Sequence, residues 1–97
     1  MSTITITSQA VRWITGRTRW DRWEDAIREL LGEDATPAAV DAITDAYRRL
    51  LPEPLFLAGE FIYAPADHGL DLDAVREEVR EEAAEIDIWQ IAADAAR

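Results

Sequence analysis

Thr36-Pro37-Ala38-Ala39-Val40-Asp41-Ala42-Ile43-Thr44-Asp45-Ala46-Tyr47-Arg48-Arg49-Leu50-Leu51-Pro52 carries a helix with both of its ends marked. The Thr36 hydroxyl can accept one of the orphan N–H groups of a first turn. Pro37 is tolerated at the first helical position, where no backbone donor is needed. Val40, Ile43, Tyr47, Leu50 and Leu51 recur at helical spacing and share one face. Pro52 and Pro54 forbid continuation, because proline lacks the N–H that a helix interior requires. A stripe this apolar must be covered, and the rest of the chain is read by asking what covers it.

Upstream, Thr18 and Asp21 stand at capping-box spacing before Trp20, Trp23, Ile27, Leu30 and Leu31, which predicts a helix ended by Gly32. Ser8 is expected to cap a short helix carrying Val11 and Ile14, stopped by Gly16. Thr3-Ile4-Thr5-Ile6-Thr7 alternates as a short half-buried strand does. Downstream, Leu55–Tyr63 is extended by its aromatic and β-branched content, with a strand at 60–63 as the partner expected for 3–7. Residues 64–72 form a loop by their Pro, Gly and Asp content. Asp71 or Asp73 then caps a charged helix. On it Leu72, Val75, Val79, Ala83 and Ile86 fall in one arc of roughly 80°. Past Ile86 that register fails, so a break at Ile86–Asp87 and a last helix through Ala96 are expected, Asp87 being its cap. A single, all-round buried tail is the alternative.

The fold class that follows is mainly α (α+β): one domain over residues 1–97, with four or five helices and a short two-stranded β element. Its core is expected to hold Val11, Ile14, Trp20, Trp23, Ile27, Leu30, Val40, Ile43, Tyr47, Leu50, Phe61, Val75, Val79, Ile86 and Ile91. Trp13 is open between core and surface. At 97 residues and 48% hydrophobic content, the chain can bury one real core.

Charge narrows function more than composition does. The chain has 20 acids and 10 cations, all arginine, for a net charge of −10. Residues 1–22 hold Arg12, Arg17, Arg19 and Arg22 against Asp21 alone, a local +3, which leaves −13 on the remainder. A field of that sign repels nucleic acid and anionic membrane and attracts basic protein surfaces. Without cysteine there is no disulfide, thiolate zinc site or cysteine nucleophile. The start lacks a basic n-region, and no apolar run approaches the ~18 residues of a membrane span, so a cytoplasmic location is the expectation.

The candidate site is a row of acids: Glu77, Glu78, Glu81, Glu82 and Glu85 occupy a separate arc of roughly 140°, with Asp71 and Asp73 just before them. Carboxylates spread over about 12 Å of helix can imitate a row of phosphates. The bland alternative is a solvated face with Arg76 and Arg80 giving weak helix pairs. The Arg/Trp run 12–23 can stack bases and clamp phosphates. It fits equally a core of Trp rings covered by Arg stems, and −13 elsewhere disfavours direct nucleic-acid binding. Counting Asp67 as position 1 of a calcium loop places Asp71 and Asp73 at ligand positions. However, Leu72 stands where that loop needs Gly, so no metal and no cofactor are expected. His68 is the only histidine and has no organised serine partner, and no P-loop, GxGxxG or HExxH motif occurs, so an enzyme is not expected.

Thr3–Thr7, Asp45-Ala46-Tyr47-Arg48-Arg49, Glu60-Phe61-Ile62-Tyr63 and Ile86-Asp87-Ile88-Trp89-Gln90-Ile91-Ala92 resemble parts of small acidic proteins of unknown function from phages and mobile elements of high-GC bacteria. The resemblance implies a protein that inhibits host defence or transcription machinery by binding it, and assigns no functional residues. The expectation is thus a non-enzymatic acidic protein that occupies a basic surface of a nucleic-acid-handling protein through Asp71, Asp73, Glu77, Glu78, Glu81, Glu82 and Glu85. The alternative is a structural or assembly module that self-associates, a homodimer being one form, through apolar surface around Ile88 and Trp89, with its acids serving only solubility.

Overall fold

The computed structural model describes residues 2–96. In chain order these form β1 (Thr3–Thr7), α1 (Ala10–Thr15), α2 (Trp23–Leu31), a 3-10 turn (Gly32–Asp34), α3 (Pro37–Arg48), β2 (Phe56–Ala58), β3 (Phe61–Pro65), α4 (Leu72–Ala84) and α5 (Ile88–Ala95). The α+β class stands, but the sheet has three antiparallel strands, in the order β1-β3-β2, where two were expected. The difference lies at Gly59, whose φ of 62° is the left-handed conformation that glycine adopts without steric cost. It lets the extended run fold back through a two-residue turn, so that Ala58 pairs with Phe61 and Leu57 with Ile62. The expected pairing of 3–7 with this segment forms. Thr5 faces Tyr63 and Thr7 faces Ile62, which leaves Ile6 as the extra residue of a bulge.

Helix ends separate local from distant control. Thr36 accepts from the Ala39 N–H at 3.1 Å and Pro37 opens α3, as read. α3 itself stops at Arg48 and passes through a turn before Pro52, a little earlier than its apolar stripe suggests. Gly16 and Gly32 end their helices with positive φ. Asp71 caps α4, and Asp87 caps α5 across the expected break by accepting from the Gln90 N–H at 3.1 Å. Two expected starts are wrong. Ser8 does not cap α1, whose N-cap is Gln9 without a side-chain bond. Thr18 and Asp21 do not open α2, which begins at Trp23 behind an irregular segment.

The core gathers α1, α2, α3, α4, α5 and the inner face of the sheet. Val11, Ile14, Trp23, Ile27, Ile43 and Val79 are buried as expected, joined by Leu31, Leu55, Leu57, Ile62 and several alanines. Each large side chain taken fully out of water contributes about 1.5–3 kcal/mol. Trp23 stacks on Tyr47 at 4.7 Å between ring centroids. Trp13, Trp20, Val40, Tyr47, Leu50, Val75 and Ile91 are half-buried against this core, and Ile86 is half-buried at its edge.

Two expected core residues lie outside. Phe61 is 41% exposed, because strand alternation turns Ile62 and Ala64 inward and therefore Phe61 outward. Leu30 is 38% exposed: it keeps its place on the apolar face of α2 but lines an open cleft.

Candidate interaction surface

The acidic row is built on α4. Val79 and Ala83 are buried and Leu72 and Val75 half-buried, which fixes the rotation of the helix. Glu77, Glu78, Glu81, Glu82 and Glu85 consequently all face solvent, and Asp71 and Asp73 are exposed at its start. The Asp71 carboxylate accepts from the Asp73 and Ala74 N–H groups at 3.2 and 3.3 Å, so its charge is engaged in the cap.

The pairs between these glutamates and Arg76 or Arg80 that belong to the solvated-face alternative do not form among the described residues. Arg76 reaches back to Asp73 at 3.2 Å. Arg80 turns inward, where its Nε donates to the Trp13 carbonyl at 3.0 Å and an Nη to that of Arg12 at 3.3 Å. Arg80 thus serves the C-terminal carbonyls of α1: that of Trp13, and that of Arg12, which also accepts the Gly16 N–H at 2.9 Å. Among the described residues, none of the five glutamates forms an ion pair. Nor does α4 carry a base in its last turn, so the partial negative charge of its C-terminus adds to Glu81, Glu82 and Glu85. The row is negative at every level: side chains, helix end and whole chain.

The Arg/Trp run closes on itself. Arg12 pairs with Asp21 at 2.5 Å, and Arg19 pairs with Glu29. The Trp20 indole N–H donates to the other Glu29 oxygen at 2.5 Å, with the Arg19 guanidinium 5.5 Å from the ring centroid. Trp23 lies in the core. Trp23, Arg12 and Arg19 fit the reading of this run as core and cover, whereas Arg17 and Arg22 are exposed without an ion pair among the described residues.

In the 64–72 segment His68 Nδ1 accepts the Leu70 N–H at 2.9 Å, an arrangement that orders the loop. Asp73 is committed to Arg76 and Asp71 to its cap, and among the described residues no group of three or more His, Asp or Glu converges as metal ligands would. None of the helices in the described residues is long and apolar enough to cross a membrane.

One surface was missed. Phe56, Phe61 and Tyr63 stand together on the outer face of the sheet, with Tyr63 stacked on Phe56 at 5.5 Å and on Phe61 at 5.9 Å. The signal was available in the period-2 pattern of Phe56-Leu57-Ala58 and Phe61-Ile62-Tyr63-Ala64, once the run is split at Gly59. Trp89 projects from α5, 54% exposed, whereas Ile88 is half-buried against the core. In comparisons with known proteins, no family model matches the chain, and neither does any curated protein or solved structure.

Proposed function

We propose that the protein is an acidic binding protein that occupies a basic surface of a nucleic-acid-handling protein, its α4 carboxylates standing where phosphates would lie. One observation carries this reading: Glu77, Glu78, Glu81, Glu82 and Glu85 are exposed together while both arginines of their own helix are turned elsewhere. A helix whose acids served only solubility would gain a few tenths of a kcal/mol from each Glu–Arg pair at this spacing. The row forgoes that stabilisation and keeps its potential for another molecule. The resemblance to phage-type acidic proteins points to the same class of target, a host defence or transcription component. Asp73 and Asp71 extend the row at its N-terminal end with charges already partly engaged.

The test is affinity capture from cell extract, with wild type beside the triple variant Glu77→Gln, Glu81→Gln, Glu85→Gln. The captured protein should be basic and should be released by an added polyanion such as duplex DNA. Each lost carboxylate contact in a desolvated channel should cost about 1–3 kcal/mol, so the triple variant should lose the partner. Undiminished affinity of the triple variant for an identified partner would remove α4 from the interface.

Exposed Trp89 favours a second reading, self-association through α5. A stable dimer at micromolar concentration that Trp89→Glu dissociates would support it, whereas a monomeric wild type would exclude it.

A further inference from the structure

A cleft of about 200 Å³ opens between the α1–α2 connection, α2, Tyr47 of α3 and the α4–α5 junction. Its walls are apolar and aromatic, chiefly Trp20, Trp23, Ile27, Leu30 and Tyr47. The same lining holds Arg17 and Arg80. In a chain with twice as many acids as bases, both lack a carboxylate partner among the described residues, although five other arginines have one. Arg80 is occupied by the α1 carbonyls. Arg17 is not. Its guanidinium carbon stands 6.0 Å from the Trp20 ring centroid, and its charge acts on the Tyr47 phenol. Burial pushes the Tyr47 hydroxyl upward from its ordinary pKa, which Arg17 partly offsets, so the phenol keeps its proton and remains a donor. Trp23 adds a buried indole N–H that has no acceptor among the described residues.

From this arrangement we infer that the cleft binds a small organic monocarboxylate with a planar or branched apolar body. The carboxylate would take the Arg17 fork with the Tyr47 hydroxyl beside it, and the body would lie between Trp20 and Leu30. Size fits: an apolar cavity of about 150 Å³ accepts a benzene ring, so this one has room for a ring and a short arm. Charge selects among ligands. A cation meets Arg17, a neutral molecule leaves that guanidinium without a partner, and a dianion meets twice the repulsion of the surrounding acids. The site is separate from the glutamate row and stands or falls independently of it.

The probe is 3-phenylpropionate, with 3-phenylpropionamide as its uncharged counterpart, followed by calorimetry and backbone-amide NMR. The acid should bind with a Kd of about 0.1–3 mM. The amide should bind about ten-fold more weakly, because it cannot make the charge-assisted contact. Arg17 is exposed and outside the core, so Arg17→Gln should fold normally and bind acid and amide alike. Ala84 is exposed at the end of α4 and lines the cleft, so Ala84→Phe should fill the cleft and abolish binding of both. Absence of saturable acid binding, equal affinity of wild type for acid and amide, or unchanged binding to Ala84→Phe would each overturn the assignment.

Discussion

Glu60 shows how much one side chain can join. It sits in the two-residue turn between β2 and β3; its backbone carbonyl accepts the Ala10 N–H at 3.0 Å, and its carboxylate faces the backbone N–H of Trp23 at the start of α2. Its Oε2 is shielded from solvent without a hydrogen bond among the described residues. Burial raises its pKa above the ordinary carboxylate value; the Trp23 N–H and the charge of Arg22 oppose this, and Asp25 reinforces it. The sign for stability follows directly. A raised folded-state pKa means that the native protein holds this proton more tightly than the unfolded chain does. The stabilisation is complete below the unfolded value, about 4.3, and is lost as pH rises through the folded one. Glu60→Gln keeps an acceptor for Trp23 and removes the desolvated charge. It should therefore raise the thermal midpoint at pH 7 and show little difference from wild type at pH 4. Glu60→Ala removes the acceptor as well and should lower stability at pH 7 by about 1 kcal/mol, as loss of a helix cap does. Thermal melts at the two pH values decide, and a wild-type-like midpoint for Glu60→Gln at pH 7 would contradict the burial argument.

At the scale of the element, α1 and α2 are completed from far along the chain. Arg80 closes the C-terminal carbonyls of α1 across 67 residues, while Gly16 ends the same helix with a φ of 73°. Arg80→Gln should cost about 1.5–3 kcal/mol, since the lost hydrogen bonds come from a charged donor. Arg80→Lys should recover only part of it, because an ammonium cannot reproduce the fork. Urea unfolding of the two variants measures this, and equal midpoints for Lys and Gln would refute the two-pronged role. The same long reach explains what was legible in the sequence. Thr36-Pro37, Asp71, Asp87 and the two glycines announce helix ends because their signals are local, within a turn of the groups they serve. The capping-box spacing of Thr18 and Asp21 is local as well, but it is overruled: Glu60 supplies the acceptor at the N-terminus of α2, and Asp21 is drawn to Arg12. The glutamate face was readable from 100° per residue. Its lack of compensation was not, because the spacing of Arg76 and Arg80 predicts pairs that do not form: Arg80 is drawn into a tertiary contact and Arg76 to Asp73 three residues back. The third strand was hidden in a run whose composition marks it as extended but whose turn hangs on the conformation of Gly59.

For the whole molecule, net charge and size set a testable balance. The described fold measures 42 × 26 × 23 Å and holds five surface ion pairs in a chain of net charge −10. Salt acts on these in opposite senses. It weakens the pairs, each worth under about 1 kcal/mol, and it screens the repulsion among the remaining acids. Reach decides between them. At 0.01 M the screening length is about 30 Å, comparable with the molecule, so every uncompensated acid feels every other. At 1 M it is about 3 Å, and only groups in contact still interact. Long-range repulsion is therefore abolished almost wholly, while pairs at 2.5–3.2 Å are only reduced. The thermal midpoint should rise by several degrees between 0.01 and 1 M sodium chloride. The variant Glu77→Gln, Glu81→Gln, Glu85→Gln should start higher at low salt and rise less, since three members of the densest row are gone and none of them has an ion-pair partner among the described residues. A midpoint that falls with salt would mean that the five ion pairs outweigh the repulsion; a triple variant that starts below wild type would mean that these glutamates stabilise the fold itself, and the case for a row held ready for a partner would fail.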